Sequence, residues 1–204
     1  PSYTQAGNFN YFREQLLIHE STPIFLYQGL ISESRGVDVF LNAAIEISKT
    51  NNAAFVFMGN GPYVKVLQEK IRSIESENIY YKESVSQDEL LKYTNSADVG
   101  IHAIKNSCLN HDFCLPNKLF EYMSSGIPVL VSELTEMKKF VDRYGLGLCF
   151  TNDSVADLTN KIRYLIDNPE KLKQFKVNAE IAAKTVTWDS EAKFLEAAYL
   201  ELLD

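Results

Sequence analysis

The stretch Leu115-Pro116-Asn117-Lys118-Leu119-Phe120-Glu121-Tyr122-Met123-Ser124-Ser125-Gly126-Ile127-Pro128-Val129 decides how this chain is read. Proline stands where a helix can begin and glycine just past where it must stop, which predicts a short helix from near 116 to 126. Inside it Leu119, Phe120 and Met123 recur at helical spacing and point to a core. Lys118 and Glu121, three apart, share another face. The run 128–132 then has the length and composition of a buried strand. A helix that delivers the chain into such a strand is the connection a parallel sheet requires.

Outward from this point the same unit repeats. Towards the N-terminus, strands are predicted at 99–101, 78–81, 54–58 and 24–27. Between them run helical stripes, Val37, Phe40, Leu41, Ala44 and Ile45, then Val64, Leu67, Ile71 and Ile74. Ser86 with Glu89 three residues on predicts a capping box at a further helix start. Towards the C-terminus follow a helix near 133–143, a weak strand at 147–150 and a helix carrying Val155, Leu158, Ile162, Leu165 and Ile166, ended by Asn168-Pro169. A separate amphipathic helix, 188–204, presents Leu195, Ala198, Tyr199 and Leu202 on one face. This alternation implies an α/β fold, a Rossmann-like parallel sheet with helices on both faces. Ligands of such sheets bind beyond the carboxyl ends of the strands, so the functional loops are expected at 28–36, 59–62, 82–86, 103–116 and 132–136.

Composition narrows the function classes. The chain has 204 residues, 46% of them hydrophobic, enough for one domain with a sizeable core. Its formal net charge of −7 opposes phosphate backbones, so nucleic acid is not an expected partner, although a nucleotide pocket can be locally positive. No run approaches the roughly 20 apolar residues that span a bilayer, and the start lacks the layout of a secretory signal. Three cysteines, an odd number, suit a reducing cytoplasm better than a disulfide framework. Asn152-Asp153-Ser154 matches a glycosylation sequon but in that setting reads as a helix start.

Four segments carry residues suited to chemistry. Gln28-Gly29-Leu30-Ile31-Ser32-Glu33-Ser34-Arg35-Gly36 joins a strand to a helix whose N-terminus attracts anions, and Arg35 adds a fork for phosphate oxygens. An exposed arginine in a turn would look the same. Gly59-Asn60-Gly61-Pro62 lets a backbone approach a ligand closely, or simply turns the chain. Glu121 could accept two hydrogen bonds from vicinal hydroxyls of a ribose, with Lys118 beside it for a diphosphate; the alternative is a surface ion pair worth at most about 0.5 kcal/mol. Cys108, His111 and Cys114 have a zinc-like spacing but supply three ligands where structural zinc takes four, and only His102 is near enough to be the fourth. A flexible ligand-facing loop is the better reading, with His111 and Asp112 turned to sugar hydroxyls. No Ser-His-Asp set or metal-binding carboxylate cluster stands out, which leaves leaving-group stabilisation by fixed charges as the available chemistry.

Taken together, these segments resemble the C-terminal domain of GT-B-fold glycosyltransferases, specifically the retaining group called family 4. The resemblance runs from about Ile24 to Tyr199. Tyr27-Gln28-Gly29 with Arg35-Gly36-Val37-Asp38 is similar to the family's donor-phosphate loop. Phe57-Met58-Gly59-Asn60-Gly61-Pro62 is similar to its glycine-rich strand end, and 81–90 to the segment that frames the base. The 115–129 stretch is the most specific match, and Trp188 with its helix resembles the terminal helix that crosses back to a partner domain. The sequence departs from the pattern in three places: Leu30 stands where a second cation is common, Ser84 where glycine is frequent, and Phe113 where the first glutamate of a Glu-x7-Glu motif would fall.

The resemblance implies a donor domain that binds a nucleotide-diphospho-sugar, such as a UDP- or GDP-sugar, for transfer with retention and without cofactor or metal. Arg35 and Lys118 would stabilise the leaving diphosphate. Gly29, Gly59, Gly61, Ser84, Val85 and Glu121 would bind the nucleotide, and His111, Asp112, Phe113, Cys114 and Leu115 the donor sugar. It divides the chain into an interdomain segment 1–22, the donor domain 23–186 and a crossover helix 187–204. It also implies a separate N-terminal acceptor domain outside this sequence, with this part alone inactive. Polysaccharide or lipid-linked acceptors at the inner face of a membrane are the expected setting, any membrane contact being peripheral. Two other readings compete: a sugar-nucleotide epimerase of the same fold and a non-catalytic α/β nucleotide-binding module.

Overall fold

A computed structural model describes residues 9–50, 53–74 and 76–202. Six parallel strands form one sheet: β1 (Ile24–Leu30), β2 (Ala54–Asn60), β3 (Ile79–Lys82), β4 (Val99–His102), β5 (Val129–Ser132) and β6 (Gly147–Phe150). Their order across the sheet is β3-β2-β1-β4-β5-β6. The chain therefore grows one way from β1 to β3, returns, and grows the other way from β4.

Strand alternation builds two cores from one sheet. Ile24 and Leu26 of β1, Val56 and Met58 of β2, and Val129 and Val131 of β5 face one side. There they meet α1 (Tyr11–Leu16), α4 (Gln87–Asn95), α6 (Asn117–Ser124), α7 (Thr135–Tyr144) and α9 (Pro169–Thr185). Phe25, Tyr27, Phe55, Phe57 and Leu130 face the other side, against α2 (Val37–Ser48), α3 (Val64–Ser73) and α8 (Val155–Asp167). Both faces are covered, which is why the strands read as continuous apolar runs.

The predicted strands all form; 147–150 keeps its bounds and the others have an end moved by one to three residues, as hydrogen-bonded edges rather than hydropathy set them. Ser154 caps α8 by accepting from the Asp157 amide, so 152–154 is a helix start. The capping box at Ser86 does not form: its hydroxyl donates to the Glu89 carboxylate at 2.9 Å and accepts nothing from the helix. The box is instead at Thr187 and Ser190, opening α10 (Trp188–Glu201). Asn168-Pro169 ends α8 and also begins α9, an unpredicted helix with proline in its first turn.

The ends of the chain differ in their attachment. Ahead of β1, Phe12 is buried and Arg13 binds Asp98 at 2.8 Å and the carbonyls of Thr22 and Ser96, so 9–22 packs on the domain body. At the other end α10 buries none of its residues: Trp188 is 70% exposed, and Leu195, Tyr199 and Leu202 are exposed with it. Its predicted apolar face is therefore unpartnered among the described residues. Residues 1–8 and 203–204 of the expected end segments lie outside the described residues.

Candidate donor site

The site lies where the strand order changes direction, at the carboxyl ends of β1 and β4. The strand order reverses there, and at such a point adjacent loops of an open parallel sheet leave in opposite directions, which makes the crevice where its ligands bind. Three segments converge on it: β1 with the following 3-10 turn Glu33–Arg35, the loop 103–116 after β4, and the first turns of α6.

One tyrosine fixes α6 over the sheet. Gly100 of β4 carries no side chain, and the Tyr122 ring takes the space: a Cβ at 100 would lie 2.4 Å from it. The Tyr122 hydroxyl accepts from the Gln28 amide at 3.2 Å and donates towards the carbonyls of Leu26 and Ile101 at 3.2 and 3.1 Å. It thus bridges β1 and β4 at the crevice and sets the rotation of the helix that carries Lys118 and Glu121.

Glu121 is oriented through a relay. Thr94 of α4 donates to Gln28 Oε1 at 2.7 Å, and Gln28 Nε2 donates to Glu121 Oε2, also at 2.7 Å. Gln28 is buried, so these bonds fix its amide. The carboxylate is held by one oxygen, and its other oxygen makes no hydrogen bond or ion pair among the described residues. The surface ion pair between Lys118 and Glu121 does not form.

Lys118 goes elsewhere. Its stem passes over Gly29, where a Cβ would sit 2.8 Å from the lysine Cε, and its ammonium stops 4.3 Å from the centre of the Tyr27 ring. A side chain from one face of the sheet has crossed the carboxyl edge to an aromatic ring of the other. The residue as a whole is half-buried, but Nζ itself is buried and has no hydrogen-bond partner among the described residues. The charged end governs its chemistry. Burial, and then the Arg35 charge, push its pKa down to about 7, with Glu121 opposing.

Arg35 is placed by Gly36. The turn runs so close to β4 that a Cβ at 36 would lie 1.6 Å from the Ala103 carbonyl oxygen, and Gly36 has φ 68°, which favours glycine. The Tyr27 hydroxyl donates to the carbonyls of Leu30 and Arg35 at 2.9 and 3.3 Å and ties the turn down. The Arg35 guanidinium makes no ion pair among the described residues. Its charge acts on Lys118, Tyr27, His102 and Cys114 alike, so it stands within this cluster.

The other expected residues are divided. Gly29 and Gly59 are register partners at the ends of β1 and β2, with Gly61 just beyond. Ser84 is exposed and Val85 half-buried in the loop after β3, two strands from β1, where Val85 packs against the core on the α6 side of the sheet. His111 lies in α5 (Leu109–Asp112), its Nδ1 2.8 Å from the Lys105 carbonyl and 3.1 Å from the Ser107 hydroxyl. Asp112 is tied to structure: its two oxygens accept from the Thr135 amide and hydroxyl at the start of α7, which leaves each oxygen a further lone pair. Phe113 and Leu115 are 57% and 41% exposed, while Cys114 is half-buried and burial raises its thiol pKa. Among the described residues no three His, Cys, Asp or Glu side chains are grouped to hold a metal ion, so Cys108, His111 and Cys114 form no such set.

The sequence reading missed Gln28, Thr94 and Tyr122 as organisers, and His102 as a member of the cluster. His102 ends β4 with both ring nitrogens buried and unpartnered among the described residues. Burial first, then Lys118 and Arg35, hold its pKa well below the usual histidine range. A polar residue at the end of an otherwise apolar strand was the available signal.

Larger open clefts lie elsewhere. One of about 460 Å³ is bounded by Arg13, Asp98, Lys176 and Glu180 at the amino ends of the strands. Another, about 590 Å³ and mostly apolar, lies between α6 and the start of α10. Near the crevice is a shallow depression of about 280 Å³ edged by Glu33, Ser34, Lys105 and Ser107. The convergence of unpaired charge outweighs cavity size as a mark of function, because buried charges without partners are costly and need a reason.

Comparison with known proteins agrees with this architecture. Alpha-monoglucosyldiacylglycerol synthase of Acholeplasma laidlawii is 25% identical over 207 residues, covering the whole of this chain and 49% of that protein. The chain thus spans about half the length of this relative. The structure of HepE from Anabaena in complex with UDP superposes with a TM-score of 0.81 at 17% identity, over 97% of this chain and 53% of HepE. The C-terminal domain of the group 1 glycosyl transferase LpcC from Francisella tularensis gives 0.72 at 16% identity, over 90% of this chain and 95% of that domain. These likenesses establish the fold as that of one half of a GT-B glycosyltransferase. No helix among the described residues is long and apolar enough to cross a membrane. Residues 8–181 match the family described as glycosyl transferases group 1, and to that family the chain belongs.

Proposed function

We propose that this chain is the donor-binding half of a retaining glycosyltransferase that uses a nucleotide-diphospho-sugar. The observation that carries the proposal is the charge arrangement at the β1–β4 crevice. A buried lysine nitrogen without a hydrogen-bond partner lies near a guanidinium without an ion pair, and a carboxylate on the same helix turn is held by one oxygen only. A diphosphate supplies the missing anion, and a ribose supplies the hydroxyl donors.

In this reading Arg35 and Lys118 stabilise the negative charge that grows on the diphosphate as the anomeric bond breaks. Glu121, oriented by Gln28, grips the ribose. The loop 103–116 faces the sugar, with His111, Asp112, Phe113, Cys114 and Leu115 as its contacts. Gly29, Gly59 and Gly61 let the nucleotide approach the strand ends, and Ser84 and Val85 border the base. The bound UDP reported for HepE supports a uridine nucleotide as the first donor to try. The name of the relative from Acholeplasma laidlawii supports a lipid acceptor; in our reading a second domain would bind it at a membrane face. The exposed face of α10 is the surface that would meet that domain.

Calorimetric titration with UDP, GDP and ADP tests the reading. One diphosphate should bind, and Glu121→Ala should weaken it by about 10- to 100-fold, the range for losing a hydrogen bond to a charged group. If none of the three binds, or if Glu121→Ala binds as well as the unaltered protein, the site is not a nucleotide site.

A further inference from the structure

Lys118 sits in an environment that suits a cation only when an anion is present. Every element around it contributes. From β1 come the neutral Tyr27 ring at 4.3 Å and the bare Gly29 position. From the 3-10 turn comes the positive charge of Arg35, and from β4 the orphaned imidazole of His102, itself acted on by His111. From α6 comes Glu121, whose carboxylate is engaged by the Gln28 amide and not by the lysine. An ammonium taken out of water with no acceptor, facing a second cation, is poorly stabilised by an aromatic face alone. Its simplest relief is to release the proton.

We propose that Lys118 stands in the empty site as a neutral amine and takes up one proton from solvent when the donor's diphosphate binds, so that nucleotide binding is coupled to proton uptake. The inference rests on the donor-site reading and adds a chemical event to it. The positive charge that meets the leaving group is then created by the ligand's arrival, and the empty domain need not hold two unpaired cations together.

The direction of the effect follows from linkage. Burial and Arg35 bring the Lys118 pKa down to about 7 in the free protein, and an adjacent diphosphate raises it again. Below pH 7 the amine is already charged, so binding moves no proton through it. At pH 7 each binding event draws in about half a proton, and from about pH 8 upward nearly one, where the dissociation constant rises by about tenfold per pH unit until the bound-state pKa is reached. Other groups facing the cluster stay out of this window. His102 is held well below its usual range, Tyr27 and Tyr122 are raised, and Cys114 is raised by burial. The terminal phosphate of a nucleoside diphosphate, with a last pKa of about 6, is fully ionised there.

The experiment is titration calorimetry of the full-length protein with UDP, and with GDP in parallel, from pH 7 to 9 in two buffers of different ionisation enthalpy. Close to one proton should be taken up at pH 8, with affinity falling about tenfold per pH unit. Lys118→Met, apolar and similar in length, should fold, bind more weakly, take up no proton and show a flat profile. Lys118→Arg, permanently charged, should also take up none. Binding without proton uptake at pH 8, or uptake that persists in Lys118→Met, would overturn the inference and leave the donor site standing. If neither binds, the same titration is run with ADP; absence of binding by all three diphosphates would overturn both.

Discussion

Arg35→Ala in the full-length protein is expected to lower the rate of sugar transfer by about 10²-fold, the loss found when one preorganised donor is removed from a charge-stabilising site. The effect should appear mainly in turnover, because charge on the leaving diphosphate is greatest in the transition state. The geometry gives a reason for so large a share. The loop 28–36 carries Leu30 and no second cation, so Arg35 is its permanent positive charge, beside a lysine whose own charge is conditional. Arg35→Lys should recover part of the loss, since a point charge replaces a bidentate fork. Steady-state kinetics with saturating donor measures this directly. Unchanged turnover in Arg35→Ala would remove the residue from the site.

Gly36→Ala is expected to destabilise the domain by about 3 kcal/mol, a fall in melting temperature of roughly 6–12 °C for a chain of this size. Two costs act together. The backbone is in the left-handed region at φ 68°, and a Cβ would lie 1.6 Å from the Ala103 carbonyl oxygen, which belongs to backbone and cannot swing aside. The turn would have to lift from β4 and carry Arg35 with it. Thermal unfolding measures the stability, and donor affinity of the surviving folded fraction measures the displacement. A variant that melts and binds as the unaltered protein does would show that the turn is not pressed on β4.

The fold was legible because each level of the sequence repeats one message. Apolar runs at 24–27, 54–58 and 128–132 alternate with helical stripes, and that alternation admits little besides a parallel sheet. What escaped was decided by partners distant in sequence. Ser86 and Glu89 had the spacing of a capping box, yet their side chains bond to each other. Pro169 looked like the end of one helix and is also the start of the next. That Thr135, 23 residues on, donates to both oxygens of Asp112 could not be read from the sequence. Lys118 and Glu121 were legible as a pair on one face, but not that Gln28 takes the carboxylate and Tyr27 the ammonium. The organising roles of Thr94, Gln28 and Tyr122 are contacts across the sheet and have no local signature.

The most direct measurement is a crystal structure of the full-length protein with a nucleotide sugar bound. The diphosphate should lie about 2.7–3.2 Å from the Arg35 guanidinium and from Lys118 Nζ, with ribose hydroxyls on the Glu121 carboxylate, over the carboxyl ends of β1 and β4. A nucleotide seated instead at the opposite end of the sheet, in the cavity bounded by Arg13, Asp98, Lys176 and Glu180, would contradict the assignment.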